Sequence, residues 1–256
     1  MSEWDALTDL LRTAPGDYSL CVQDAAGRQR YGYQEHTVRS SASLIKLPLA
    51  LALLDASPPL DLQATVTLSE AERVEGTGTF DNAPAGTRAT LDELIGYALT
   101  ESDNTASNML IARLGFEAIN SYLARLGMEH TRLRRQFMDY VALAAGRDNT
   151  TTAAEMCALL DRLRQPQYAS LLALLRRAVG DGKLEAGIPP GTPIAHKVGD
   201  LPGVEHDAGV IFAPNGPYIV AALSVNLPDI ERGRQTIAAA SRLVWQLMHE
   251  EPRTRN

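Results

Sequence analysis

Segments with strand-like patterns lie near both ends of the chain, whereas its long middle shows helical periodicity. In YSLCVQDAAGRQRYGYQE, residues 18–35, two alternating runs flank a turn around residues 25–27, which is typical of a β-hairpin. The last third contains the further strand-like segments TPIAHKV, DAGVIFA and YIVAALSV, and the tight-turn sequence PNGP joins the latter two. Because strands must pair to bury their apolar faces, this order predicts one five-stranded antiparallel sheet built from both ends of the chain.

Helical patterns account for most of the remaining chain. Helices predicted at about residues 4–12 and 232–249 would cover the sheet, and residues 43–179 contain several segments with apolar residues three or four apart. We therefore predict an α+β fold in which residues 1–40 and 190–256 form a sheet lobe and residues 41–189 form an all-helical lobe. A cleft between two lobes is a common place for a ligand, so we expect the active site there.

Composition limits the possible partners. The 256 residues carry a net charge of −7 without a long basic run, which argues against nucleic acid as a partner. The longest apolar stretch, residues 47–54, is too short to span a membrane. The histidines show no paired metal-ligand spacing, so neither zinc nor another cofactor is expected. We expect a monomer whose partner is a small-molecule or peptide substrate.

The N-terminal sequence MSEWDALTDLLRTAPG reads as an acidic amphipathic helix and lacks the charged and apolar regions of a secretory signal. The chain as written is therefore expected to be cytoplasmic, or periplasmic or extracellular if a leader has been removed. Its two cysteines, Cys21 and Cys157, are predicted to be small core residues and not a disulfide framework.

A single lysine, Lys46, interrupts the apolar run SSASLIKLPLALALLDA. Only three of the 24 basic residues are lysine, and a desolvated lysine can lose its proton and act as a base, whereas arginine cannot. Ser43 precedes Lys46 by three residues, so on a helix the two side chains share a face. This spacing favours a serine nucleophile activated by lysine, although a capping serine and a lysine that reaches solvent would have the same spacing. No special role is predicted for Lys183, in the glycine-flanked loop GDGKLEAG.

The polar segment ESDNTASN, residues 101–108, is a second candidate part of the site. Ser102 would relay a proton, Asn104 would hold a substrate amide, and Asp103 would brace the loop from within. Short polar side chains of this kind are equally typical of helix caps.

The segment AHKVGD, residues 195–200, ends a predicted edge strand and is the third candidate. Lys197 would offer a positive charge to a substrate carboxylate, and Gly199 would let the substrate backbone approach closely. The alternative is an ordinary lysine at the exposed end of a strand.

In this order, SLIK, SDN and KVG resemble the motifs Ser-x-x-Lys, Ser-Asp-Asn and Lys-Thr-Gly of the penicillin-recognising serine enzymes. The resemblance runs from about Tyr18 to His249, and class A β-lactamases are the branch that it favours. It implies a helical lobe beside an antiparallel sheet with flanking helices, in agreement with the lobes predicted above. It also implies an oxyanion hole made by the backbone N–H groups of Ser43 and Asp200.

The same resemblance implies a role for each motif side chain. Ser43 would be the acylated nucleophile, Lys46 its activating base and Ser102 the proton shuttle. Asn104 would contact the amide of the substrate side chain, and Lys197 would be an electrostatic anchor.

Two positions depart from the family pattern. Class A enzymes carry an omega-loop glutamate that activates the water of deacylation, and here the corresponding position holds Phe137. Asp139 is the nearest carboxylate, but its shorter side chain in a differently set loop makes it a poor substitute. The middle residue of the third motif is Val198, so a hydroxyl that would bind a substrate carboxylate is missing, at a cost of about 1.5–3 kcal/mol.

These features together predict a class A β-lactamase-like serine hydrolase that forms an acyl-enzyme on Ser43 with β-lactams or related amides and esters, and that deacylates slowly. A D,D-peptidase acting on a D-Ala-D-Ala-like amide, or an esterase, on the same scaffold is an alternative. A non-catalytic protein that binds peptidoglycan fragments is an alternative of a different class.

Overall fold

The computed structural model describes residues 3–249. In chain order, the helices and strands are α1 (Asp5–Thr13), β1 (Asp17–Gln23), β2 (Gln29–Tyr33), β3 (Arg39–Ser40), α2 (Lys46–Leu54), β4 (Thr65–Thr67), β5 (Arg88–Thr90), α3 (Leu91–Thr100), α4 (Asn104–Leu114), α5 (Phe116–Arg125), α6 (Tyr140–Ala144), β6 (Thr150–Thr151), α7 (Ala153–Leu163), α8 (Ala169–Leu175), β7 (Ile194–Leu201), β8 (Val204–Ala213), β9 (Gly216–Val225) and α9 (Ile230–His249). Short 3-10 helices occupy Ala42–Ile45, Pro166–Tyr168 and Leu184–Gly187.

Five antiparallel strands form the main sheet, in the order β2-β1-β9-β8-β7. The N-terminal hairpin joins the C-terminal strands because β1 pairs with β9 along its length, from Asp17 opposite Val225 to Gln23 opposite Ile219. This confirms the predicted α+β fold and its sheet assembled from both ends of the chain. The strand β7 lies at the edge of the sheet, as predicted, and its free side faces the helical lobe.

Helices cover both faces of the sheet. On one face α1 and α9 pack together and form a core with the sheet that includes Leu7, Leu20, Val220 and Ile237. On the other face α7 packs against β1, β8 and β9 and continues into the core of the helical lobe. The central strands are therefore buried on both faces, which explains why β8 and β9 read as nearly continuous apolar runs.

The apolar run that carries Lys46 forms the central helix of the helical lobe. Every residue from Lys46 to Leu53 is buried, and α3, α4 and α5 pack around α2. A helix without a polar face must be surrounded by other elements, so the continuous apolar sequence of α2 accounts for its central position. The 3-10 helix that precedes α2 contacts β7, and this contact brings the start of the helix to the boundary between the lobes.

Several expectations can be compared with this architecture. The lobe boundaries near residues 40 and 190 stay a prediction, and residues 1–2 and 250–256 of the proposed sheet lobe lie outside the described residues. Cys21 and Cys157 are both buried and free, as predicted. Within residues 3–249, no helix combines the length and the hydropathy that a membrane crossing requires.

The expectation that Lys183 has no special role is corrected by the structure. Lys183 is fully buried and forms ion pairs with Asp181, at 2.7 Å, and with Glu205 of β8. Glu205 also pairs with Arg234 of α9 at 3.0 Å. A buried ammonium is tolerated only when it is paired, so this lysine links the loop before β7 to β8 and, through Glu205, to α9.

Candidate active site

The amine of Lys46 lies at the centre of a group of polar atoms between the lobes. Its Nζ is 3.3 Å from Ser43 Oγ, 3.1 Å from Ser102 Oγ and 2.8 Å from Asn104 Oδ1. It also donates to the backbone carbonyl of Ser102. The structure thus brings together Ser43, Lys46, Ser102 and Asn104, which the sequence places in two separate segments.

The turn into α2 positions the serine. Ala42 has a φ of 43°, in the left-handed region that residues with a side chain seldom adopt. The chain then runs through one turn of 3-10 helix, in which Leu44 and Ile45 are buried while Ser43 lines the cavity between the lobes. Lys46 begins α2 directly after this turn, so the two side chains lie one turn apart and meet.

The segment between α3 and α4 is held in place by two buried carboxylates. Asp103 caps α4 by accepting a hydrogen bond from the Ala106 N–H at 2.7 Å, and its other oxygen accepts from the N–H groups of Phe80 and Asp81. The predicted bracing role of Asp103 therefore agrees with its contacts. Ser102 itself has a φ of 58°, and the network of hydrogen bonds around it holds this conformation.

Asp81 is a supporting residue that sequence reasoning missed. Its carboxylate accepts hydrogen bonds from the N–H groups of Asn104, at 3.1 Å, and Thr105, at 2.8 Å. The Asn104 side chain is fixed as well, because its Nδ2 donates to the Glu75 carbonyl at 3.2 Å while its Oδ1 faces Lys46. Asp81 lies in the loop GTGTFDN, residues 76–82, and no pattern in this segment indicates the role of its carboxylate.

Gly199 allows β7 to lie directly against the nucleophile. A Cβ atom at residue 199 would lie 3.0 Å from the Ser43 backbone nitrogen and 3.2 Å from that of Leu44. Only glycine permits this approach without displacing the backbone. The next residue, Asp200, lines the same cavity as Ser43, so the two backbones that would form the oxyanion hole are adjacent. The oxyanion hole itself stays a prediction.

Lys197 lies beneath the wall of the cleft and is only 1% exposed. Its Nζ donates to the Val198 carbonyl at 3.0 Å. Burial, partly opposed by the nearby carboxylate of Asp200, lowers the pKa of Lys197 to about 8. The predicted role of Lys197 as an anchor for a substrate carboxylate stays a prediction.

The electrostatic environment favours the neutral form of Lys46. Complete burial lowers the pKa of Lys46 well below its usual value, and the charge of Lys197 acts in the same direction. The carboxylates of Asp81, Asp103 and Asp200 oppose this shift without cancelling it. A lysine with a lowered pKa beside a serine hydroxyl is the arrangement that serine activation by an amine requires.

Phe137, the residue predicted at the position of the family's glutamate, packs beside Lys46. Its backbone is held by Asn108 of α4, which accepts from the Phe137 N–H at 2.8 Å and donates to its carbonyl at 3.1 Å. The Phe137 ring covers Lys46, with 4.3 Å between Nζ and the ring centroid. Asp139 is occupied elsewhere, because its carboxylate caps α6 by accepting from the Ala142 N–H at 2.8 Å.

The cleft is a cavity of about 720 Å³ between the two lobes. Its wall on the helical side combines Ser102 and Asn104 with the apolar side chains of Phe137, Met138 and Leu143. On the side of the sheet, the lining residues are Asp200, Leu201, Pro202, Glu205, Ile230 and Arg234. The cavity is large enough for a drug-sized molecule, as a substrate site requires.

A second cluster of titratable groups lies behind β7. Glu185, His196 and Asp207 bring potential metal-ligand atoms within 4.8 Å of one another. The His196 Nδ1 is 2.9 Å from Asp207 Oδ1, and this carboxylate raises the pKa of the imidazole although burial alone would lower it. Within the cluster, His196 and Asp207 are therefore hydrogen-bonded to each other, whereas Glu185 accepts from the Gly182 N–H.

Comparison with known proteins relates this geometry to a family. The model of a family described as the β-lactamase enzyme family matches residues 4–248. A β-lactamase of Amycolatopsis lactamdurans is 31% identical over 215 residues, which cover 79% of this chain and 70% of that protein. A β-lactamase of Bacillus licheniformis is 26% identical over 238 residues, covering 88% of this chain and 77% of that protein.

Solved structures agree with this match. A β-lactamase from Sphaerobacter thermophilus superposes with a TM-score of 0.88 and 26% identity, covering 97% of this chain and 99% of that chain. A mutant of PBP-A, solved as an acyl-enzyme complex with penicillin G, gives a TM-score of 0.86 with 27% identity and 96% coverage of both chains.

The family match spans nearly the whole described chain, and the fold agrees with that of class A enzymes over almost every residue. The residues that carry the motifs also meet at one site in the cleft between the lobes. The chain therefore belongs to the β-lactamase enzyme family, as a class A β-lactamase-like serine hydrolase.

Proposed function

We propose that the protein forms a covalent acyl-enzyme on Ser43 with β-lactams or with related amides and esters, and that it releases the acyl group slowly. The observation that carries this proposal is the 3.3 Å separation of Ser43 Oγ from the fully buried amine of Lys46. A hydroxyl becomes an effective nucleophile when a base removes its proton, and the desolvated amine is the group in contact with it.

Acylation follows from these contacts. The neutral amine of Lys46 takes the proton of Ser43 while Oγ attacks the substrate carbonyl. The developing negative charge on the carbonyl oxygen is stabilised by the N–H groups of Ser43 and Asp200. The Ser102 hydroxyl, 3.1 Å from Lys46 Nζ, then passes the proton to the leaving group.

Deacylation lacks an obvious base. Hydrolysis of the ester requires a group that activates water near the acyl carbonyl, and the side chain at the corresponding position is the apolar Phe137. Asp139 accepts a hydrogen bond at the start of α6 and does not line the cavity. Acylation with slow release is therefore the outcome that the geometry favours.

Intact-protein mass spectrometry over time tests this proposal directly. Incubation with benzylpenicillin is expected to add the mass of one penicillin to the wild-type protein, and the adduct is expected to persist for many times the acylation half-time. Ser43→Ala is the matched control, since it removes only Oγ and should stay unmodified. A wild-type protein that remains unmodified by penicillin, by a D-Ala-D-Ala peptide and by a small activated ester would contradict the proposal.

The same experiment separates the alternatives. A D,D-peptidase would turn over the D-Ala-D-Ala peptide, an esterase would turn over the ester, and both activities would disappear in Ser43→Ala. A protein that only binds peptidoglycan fragments would bind them without any adduct. The lowered pKa of Lys46 argues against this last alternative, because simple binding does not need a desolvated amine beside a serine.

A further inference from the structure

Asp200 places an exposed carboxylate beside the reacting serine. It follows Gly199, whose position lies against the Ser43 backbone, and it lines the same cavity as Ser43. Within the part of the chain that the structure describes, its carboxylate makes no hydrogen bond or salt bridge. It is therefore an exposed negative charge on the wall of the cavity that contains Ser43.

The side of the cleft near Asp200 is the side that receives the leaving group. Asn104, beside Glu75 on the opposite wall, is positioned for the acyl part of the substrate. Ser102 passes the proton to the departing atom, so the leaving group lies between Ser102 and the end of β7. Leu201, Pro202 and the start of α9 enclose this space.

The positive groups near Asp200 are already engaged. Lys197 is buried and donates to the Val198 carbonyl. The Arg234 guanidinium binds Glu205 through both Nε and Nη2 at 3.0 Å, so a carboxylate of the protein already balances its charge. Val198 contributes no hydroxyl. A negatively charged leaving group would therefore meet the exposed carboxylate of Asp200, while the nearby cations Lys197 and Arg234 already interact with carboxylates of the protein.

We propose that Asp200 makes the site selective for acyl donors whose leaving group carries a positively charged ammonium group, and selective against leaving groups that carry a carboxylate. This inference rests on the proposed function, because it concerns which substrates acylate Ser43. Asp200 alone would then account for a site that disfavours a carboxylate on the leaving group.

Three thioesters with the same phenylacetyl group test the proposal. Their leaving thiols are thiocholine, which is cationic, 3,3-dimethylbutanethiol, which has the same shape without charge, and 3-mercaptopropionate, which is anionic. In each reaction Ser43 Oγ bonds to the carbonyl carbon, the C–S bond breaks, and the thiol leaves with the proton taken from Ser43. Rates of acylation follow from thiol release, and mass spectrometry confirms the adduct on Ser43.

The wild-type protein is expected to react fastest with the thiocholine ester and slowest with the mercaptopropionate ester, with a ratio on the order of tenfold. In Asp200→Asn this ratio should fall to near unity, and it should decrease with added salt in the wild-type protein. Glu117→Gln removes the same charge from the exposed first turn of α5, outside the cavity, and should keep the wild-type ratio.

Two results would overturn the inference while leaving the proposed function intact. One is acylation of Ser43 that favours the anionic ester, which would show that Arg234 or Lys197 dominates the site. The other is a charge preference that is unchanged in a folded Asp200→Asn protein. Failure of all three thioesters to acylate Ser43 would contradict the proposed function itself.

Discussion

The Phe137 ring lies over the Lys46 amine, with 4.3 Å between the ring centroid and Nζ. The aromatic face attracts the charged form of the amine, whereas the burial that the ring contributes to disfavours that form. Burial dominates, since the pKa of Lys46 is lowered. The ring also offers no group that could activate water, so Phe137 bears on both the base of acylation and the proposed slow release.

Replacing Phe137 with glutamate is expected to shorten the lifetime of the acyl-enzyme. The variant Phe137→Glu would place a carboxylate on a backbone that Asn108 holds from both sides. A positioned general base contributes about 10²–10⁴-fold to a rate, and an unoptimised one should give on the order of tenfold faster release. The decay of the penicillin adduct, followed by intact mass, measures this change.

The matched control for this prediction is Phe137→Leu. It keeps the position apolar while removing the ring, so its adduct should decay as slowly as that of the wild-type protein. Equal adduct lifetimes in folded Phe137→Glu and Phe137→Leu proteins would show that the missing carboxylate does not limit release.

Replacing Lys46 with arginine should slow acylation strongly, although arginine is also a basic residue. Arginine does not lose its proton in proteins, so Lys46→Arg replaces the base with a permanent cation. We expect the second-order rate constant for acylation by penicillin to fall by at least about 10²-fold in both Lys46→Arg and Lys46→Ala. Near-ultraviolet circular dichroism checks that each variant is folded. Substantial acylation by a folded Lys46→Arg protein would require a different base.

The architecture could largely be predicted from the sequence because its main signals are local. Turn residues marked two of the hairpins, β1–β2 and β8–β9, and apolar spacing marked the helices. The meeting of Ser43 and Lys46 also follows from local geometry, since residues three apart on a helical turn lie on one face. The agreement of three motifs in chain order then placed the other parts of the site beside them.

Contacts between distant segments could not be predicted in this way. Nothing in the local sequence of Lys183 indicates Glu205, which lies 22 residues later on another element. The same holds for Asp81, which binds the backbone of residues 104 and 105, and for Asn108, which holds the Phe137 backbone. These side chains lie on a loop, a strand and a helix, and such ordinary polar residues acquire their role only through contacts between distant segments.

The lowered pKa of Lys197 predicts an unusual dependence of stability on pH. Its pKa is about 8 in the folded protein, against a usual value of 10.5. Between these two values the unfolded chain binds more protons at this site, so the contribution of Lys197 to the free energy of unfolding should increase as the pH rises through this window. Well below pH 8, Lys197 is fully charged in the folded protein, and the free-energy cost of burying this charge is then greatest.

Comparison with Lys197→Met isolates this contribution from other titrating groups. Urea unfolding of both proteins at several pH values between 8 and 10.5 should show the wild-type protein gaining stability relative to the variant. Lys46 contributes in the same direction in both proteins, and loss of the Lys197 charge makes the contribution of Lys46 smaller in the variant. A stability difference that is constant across the window would mean that Lys197 titrates with the same pKa in both states.

Removing the buried ammonium of Lys183 is expected to destabilise the protein strongly. The variant Lys183→Met would leave Asp181 without its cation and would leave Glu205, which is 1% exposed, with Arg234 alone. Breaking one side of a buried ion pair costs about 3–5 kcal/mol, because the remaining charge stays desolvated. The free energy of unfolding in urea measures the loss.

The ion pair between Arg12 and Asp9 provides a matched control for this effect. Its atoms lie 3.0 Å apart, yet both side chains are more than half exposed. Water already solvates these charges, so Arg12→Gln should change the free energy of unfolding by at most about 1 kcal/mol. If Lys183→Met cost no more than Arg12→Gln, water would have to reach Glu205 in the folded protein. The loop before β7 would then be held to β8 by packing and not by the ion pair of Lys183.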